Sequence, residues 1–134
     1  MSRDYHVDIA QHAARADAKW VDNLLSHFDI PGVESGRQGT ARRVSASGVY
    51  HVALVRRLTL DLGLNTARAV SIARQLLAGE VAEPHFPVIV GLELRLDRSV
   101  FEHSVDLAIA EAVESVSPAR RGRPPVRNQG ASQG

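Results

Sequence analysis

Helix start and stop signals recur at short intervals along this chain and cut its apolar pattern into short segments. Residues 7–14 carry Ile9, Ala10 and Ala13 at helical spacing. Asp17 has the side chain of an N-cap. It opens a helix over residues 18–27 whose apolar stripe is Trp20, Val21, Leu24, Leu25 and Phe28, and Pro31-Gly32 closes it. Ser45 or Ser47 opens a third helix that runs to about residue 62 and stops at Gly63. Asn65 opens a fourth, over 66–78, closed by Gly79, with Ala69, Val70, Ala73, Leu76 and Leu77 on its inner face. Between the second and third helices, residues 33–44 hold Gly36 and Gly39 among alternating small and basic residues, the pattern of two short strands around a turn.

The second half changes rhythm. Residues 80–87 read as a linker containing two prolines. Residues 88–97 then alternate, with Val88, Val90, Leu92, Leu94 and Leu96 on one face and Glu93, Arg95 and Asp97 on the other, which predicts one half-buried strand. Residues 99–116 return to helical spacing through Phe101, Val105, Ala108, Ile109, Ala112, Val113 and Val116, and Pro118 is expected to end that helix. From residue 118 to Gly134 the chain is Arg, Gly, Pro, Ser and Gln-rich, a composition that cannot bury a core and is expected to be disordered in isolation. The expected fold class is mainly α with a small β component. A head spans residues 5–79, a strand-helix unit residues 80–117 and a basic tail residues 118–134.

Charge is segregated although the total is near zero, at +1. Residues 34–57 hold Arg37, Arg42, Arg43, Arg56 and Arg57 against the single acid Glu34. Residues 58–117 hold four arginines against nine acids, and the tail holds Arg120, Arg121, Arg123 and Arg127 with no acid after Glu114. Phosphate binding depends on local charge of this kind, because counterion release follows the cluster and not the sum. A solvated basic terminus is the plain alternative for the tail. With no cysteine there are no disulfides and no thiolate metal site. The six histidines are scattered without metal-ligand spacing, no Gly-x-Ser-x-Gly elbow is present, and Gly36-Arg37-Gln38-Gly39 lacks the Lys-Ser/Thr of a phosphate loop. No enzyme, metal or cofactor is expected. No apolar run is long enough to span a membrane, and the first residues carry no apolar signal region, so the expected location is cytoplasmic.

Several of these residues resemble the MerR-type winged helix-turn-helix domain over residues 5–78. Asp8-Ile9-Ala10 resembles its first-helix motif, Trp20 through Leu25 its recognition helix, and Ile30-Pro31-Gly32-Val33 the exit from it. Gly39-Thr40-Ala41-Arg42-Arg43-Val44-Ser45 is similar to the wing motif, with Val44 where an aromatic is usual, and residues 58–64 are similar to the Leu-x-x-Leu-Gly segment between the next two helices. Arg15-Ala16 stand in the inter-helix turn where Gly is usual, and no long dimerising coiled coil follows. Arg121-Gly122-Arg123-Pro124 resembles the core of an AT-hook, whose thin backbone and flanking arginines suit a narrow A·T-rich minor groove.

The resemblance implies a double-stranded DNA-binding protein, a repressor or a nucleoid-associated factor. Lys19 and Asn23 would face the major groove, with Asn23 as the adenine reader. Arg37, Arg42 and Arg43 would grip the backbone from the wing, Arg56 and Arg57 would extend that face, and Arg120, Arg121, Gly122, Arg123 and Pro124 would track the minor groove. Trp20 reads as core. A lone strand is unstable, so residues 88–116 are expected to pair with a second copy as a homodimer, packing on the chain's own head being the alternative. The competing function is that of a protein-interaction adaptor, such as an antitoxin or a phage accessory protein, in which residues 88–116 bind a partner.

Overall fold

The computed structural model describes residues 4–34 and 42–121, with side chains of the last helix described to residue 115. The elements run β1 (Asp4–His6), α1 (Val7–Ala14), α2 (Ala18–His27), β2 (Val33–Glu34), β3 (Arg43–Ser45), α3 (Ala46–Leu62), α4 (Thr66–Leu77), β4 (His85–Ile89), β5 (Leu92–Arg95) and α5 (Arg98–Arg121). The molecule is mainly helical with a small antiparallel β component.

The capping chemistry expected from the residue types is in place. Asp17 Oδ1 accepts the Trp20 N–H at 2.8 Å, Ser45 Oγ accepts the Gly48 N–H at 3.2 Å, and Asn65 Oδ1 accepts the Arg68 N–H at 2.8 Å. Each satisfies one of the orphan donors that a helix start leaves over. α3 ends at Gly63 in the left-handed region, with φ +69°. α1 begins differently, on His6, whose Nδ1 accepts the Asp8 N–H at 3.1 Å.

α3 is the central element. Val52, Ala53, Leu54 and Val55 are buried in succession, which requires neighbours on every side of the helix. α1, α4 and α5 supply them. One apolar cluster runs through Ile9 and Ala10 of α1, Val21 and Leu24 of α2, Val44 of β3, Ile72 and Leu76 of α4, and Val105, Ile109 and Ala112 of α5. The apolar face of α5 is therefore used within its own chain, and Tyr50 Oη fastens it to α3 by donating to Asp106 Oδ1 at 2.6 Å. Burial and the Asp106 carboxylate together push the Tyr50 hydroxyl well above its ordinary range.

One element was not expected and two expectations are corrected. First, a strand at residues 4–6 joins the sheet, whose order is β1-β3-β2, all antiparallel. Its three residues show no periodicity, and β3 alone gives it a partner. Second, the single strand expected over 88–97 is a hairpin, β4 against β5, with Ile89 opposite Leu92 and Gly91 at φ +86° in the turn. Across a two-residue loop the alternation changes phase, and the irregularity beside Pro87 changes it back, so that Phe86 comes opposite Leu94 and period alone does not separate one long strand from two short ones. Pro87 sits where the ladder is irregular, a position that needs no N–H. The hairpin satisfies its own strand and rests Phe86, Leu94 and Leu96 on the core, so the need for a second copy disappears. Third, α5 passes through Pro118 and reaches Arg121. Proline in a helix removes one backbone hydrogen bond, and only three residues follow it here, so little helix is put at risk.

The sheet lies against the start of α3 through two glycines. Gly32 (φ +86°) and Gly48 touch backbone to backbone, and a Cβ at Gly48 would stand 2.7 Å from the Gly32 carbonyl oxygen and 2.7 Å from Val44 Cγ1. Ser45 N–H donates to that same Gly32 carbonyl at 2.8 Å. Gly48→Ala is therefore expected to cost about 1–3 kcal/mol by overpacking, whereas Gly63→Ala, with open space around it, costs about 1 kcal/mol of left-handed backbone strain. Urea midpoints of the two variants test the difference, and equal losses would remove the close contact from the account.

Among the described residues His51 is the one buried polar or charged side chain, 5% exposed, with Nδ1 2.9 Å from the Ser47 carbonyl oxygen. Burial disfavours the imidazolium and lowers its pKa from the ordinary value, with Arg74 and Arg98 acting in the same direction against the helping Ser47 contact. A depressed folded-state pKa means the unfolded chain binds the proton more readily. The contribution of His51 is therefore complete above about pH 6.5 and is lost as pH falls through the lower folded value. Stability measured between pH 7 and 5 should fall more steeply for the natural chain than for His51→Leu, and identical slopes would show that the ring does not titrate in this window.

Candidate nucleic-acid interface

α1 and α2 form two helices joined by a tight turn. Arg15 ends α1 in the left-handed conformation (φ 56°), its N–H donating to the His12 carbonyl at 3.1 Å while Ala16 N–H reaches the Gln11 carbonyl at 3.1 Å. This is the bonding pattern that a glycine usually completes at a helix end. The chain can then place Asp17 as the cap of α2 with almost no linker. Val21, Leu24 and Leu25 of α2 face the core, and Lys19, Asp22, Asn23, Ser26 and His27 face solvent.

Arg42, at the returning side of the β2–β3 hairpin, joins that exposed face. Its Nη1 lies 2.9 Å from Asp22 Oδ1 and its Nη2 donates to Ser26 Oγ at 3.0 Å, with the Arg42 side chain only 28% exposed. One guanidinium thus spans two successive turns of α2 and holds the hairpin alongside the helix. It also cancels the charge of Asp22, which a sequence reading leaves as an obstacle to phosphate approach. Asp17 is committed to its cap. Lys19 and Asn23 remain on the outer surface, Asn23 accepting from His27 Nδ1 only through its backbone oxygen, at 2.8 Å.

The other predicted residues separate. Arg43 is exposed beside β1, where its Nη2 donates to the Asp4 carbonyl at 3.3 Å. Arg56 does not extend the outer face. Its guanidinium carbon stands 4.8 Å from the centroid of the Trp20 ring, and its Nε is buried without a hydrogen-bond partner. Arg57 points elsewhere again, paired with Asp61 at 2.6 Å in a cleft bounded by α1, α3 and α5. Arg56 and Arg57 are adjacent in sequence, so on a helix they diverge by about 100° and cannot share one surface. Arg120 and Arg121 lie in the last turn of α5. Arg37, Gly122, Arg123 and Pro124 lie outside the described residues.

Sequence reasoning missed the Arg42–Asp22–Ser26 clasp and the use of Trp20 as a platform for Arg56. The only available signal was the pairing of an acid on α2 with a surplus of arginine in the hairpin. It also missed a hollow of about 470 Å³ beside α2, lined by Trp20, Asn23, Leu24, His27, Phe28 and Thr66. Among the described residues no group of three His, Asp or Glu side chains is placed to hold a metal ion, and no helix is long and apolar enough to cross a membrane.

Replacing Arg56 by Met keeps the aliphatic stem over the indole and removes the cation. A loss of about 0.5–1 kcal/mol in stability is expected, read as a lower urea midpoint together with altered Trp20 fluorescence. An unchanged emission spectrum would mean that the guanidinium does not sit on the ring.

Compared with protein-family models, with characterised proteins and with solved structures, the chain matches none of them.

Proposed function

We propose that the protein binds double-stranded DNA without catalysing a reaction, as a small repressor or nucleoid-associated factor. α2 enters the major groove with Lys19 and Asn23 leading, and the β2–β3 hairpin follows the adjacent backbone. The Arg42 clasp on Asp22 and Ser26 carries this reading. It joins helix and hairpin into one surface and removes the negative charge that α2 would otherwise present. The two-helix turn and the resemblance of residues 5–78 to MerR-type winged helix-turn-helix domains support it. The Arg-Gly-Arg-Pro segment at 121–124 supports a second contact in an A·T-rich minor groove, made effectively intramolecular by the tether.

A dimer would match the two half-sites of an operator. With the buried face of α5 occupied internally, the exposed apolar tip of the β4–β5 hairpin is the surface we assign to it. There Ile89 is 66% and Val90 102% exposed, and Leu92 is exposed beside them. The same tip favours the adaptor reading, in which a second protein covers it. Stoichiometric co-purification of such a protein, with no DNA retained at moderate salt, would replace the first reading by the second.

Two measurements test DNA binding. Lys19→Ala should weaken duplex binding and reduce the slope of log K against log salt by about one. Asp22→Asn should act oppositely, because the amide oxygen can still accept from Arg42 and keep the clasp while an acid is deleted from the face, and binding should tighten with a steeper salt slope. A chain indifferent to duplex oligonucleotides in dilute buffer ends the proposal. Deleting residues 122–134 should weaken binding most on A·T-rich duplexes, and equal loss on all duplexes would leave the tail as a nonspecific polycation.

A further inference from the structure

A cleft of about 420 Å³ opens between α1, α3 and α5, on the side of the molecule that Arg57 faces. Its size is that of a small-molecule site. It exists because the three helices meet there through short side chains: Ala13 and Ala14 of α1, Ala53 of α3 and Ala108 of α5, with Val105 and Phe101 completing the wall. Larger residues at those positions would fill the space as they do elsewhere in the core.

Two arginines mark its polar side. Arg57 shares its charge with Asp61. Arg15 has no ion pair and no side-chain hydrogen bond among the described residues, and it is their only non-glycine residue at positive φ. A glycine at that helix end would meet the same backbone hydrogen bonds without strain. The strained backbone therefore serves the side chain, and the side chain lines the cleft. Ser104 adds a hydroxyl whose proton is given to the Phe101 carbonyl at 2.8 Å, leaving the oxygen as an acceptor.

We infer that this cleft is a binding site for a small organic carboxylate with a flat apolar body. The carboxylate lies against the guanidinium of Arg15, within reach of the field of Arg57, and the body lies on the alanines and Phe101. Arginine matches a carboxylate in a two-pronged geometry that a lysine cannot offer. The site stands whether or not the chain binds DNA. Its position gives it a lever on the interface, since Arg15 is itself the turn that leads into α2.

The test uses the full chain with benzoate as probe and benzamide as its neutral counterpart, followed by amide chemical shifts and titration calorimetry. Benzoate should shift the amides of Ala13, Ala14, Arg15, Ala53 and Ser104 and bind at least tenfold more tightly than benzamide, the loss of one charge-assisted hydrogen bond. Arg15→Gly keeps the helix end and should weaken benzoate by about the same factor. Ala108→Leu fills the cleft and should abolish the shifts while the remaining spectrum stays native. Absence of shifts at millimolar benzoate, equal binding of benzamide, or undiminished binding by Arg15→Gly would each overturn the assignment. So would a mass that doubles with concentration and returns to monomer in Ala108→Leu, which would give the cleft to a second copy of the chain.

Discussion

The contact between Gly32 and Gly48 decides where the small sheet sits, and the candidate interface follows from it. With no side chain on either residue, the chain leaving α2 passes against the first turn of α3 at backbone distance. Ser45 can then hydrogen-bond back to Gly32 while its side chain caps α3. Arg42, just before β3, comes within reach of Asp22 and Ser26 of α2. A methyl group at either glycine would move the strand before it moved the helix, because α3 is enclosed by its neighbours.

Arginine is used in this chain as much for construction as for display. Arg42 clasps α2, Arg56 covers Trp20, and Arg74 donates to the Asp29 carbonyl. Arg98 pins the start of α5 by donating to the Gly79 carbonyl and pairing with Glu102. Long stems with planar donor heads suit such bridging, since one residue packs apolar surface and saturates two acceptors together. The consequence for function is that a charge count along the sequence overstates the free positive surface. Arg42, Arg43, Arg56 and Arg57 belong to one island in sequence but occupy four different settings in space.

The helices were legible because their signals are local. Capping side chains and apolar spacing act within four residues, so α1 to α4 follow from Asp17, Ser45, Gly63 and Asn65 together with the stripes between them. β1 and the β4–β5 hairpin were not, because strand pairing is a relation between distant residues and the irregular ladder beside Pro87 brings the even-numbered positions of both strands into one phase. The candidate interface was half legible. Lys19 and Asn23 follow from the polar face of a helix, but the partners of Arg42, Arg43, Arg56 and Arg57 depend on which way each residue leaves its backbone. The cleft lined by Arg15 carried one faint signal, an arginine in the turn where glycine is the ordinary choice.

Central placement of α3 also grades the molecule's resistance to opening. Backbone amides in the middle of that helix are reached by solvent only when α1, α4 and α5 have all let go, so they report global unfolding. The β4–β5 hairpin rests on the core through Phe86, Leu94 and Leu96, with Arg68 of α4 over the Phe86 ring, and a two-stranded ribbon contributes little hold of its own. Ile89, Val90 and Leu92, an exposed apolar group among the described residues, therefore ride on an element that lies outside the enclosed helical core.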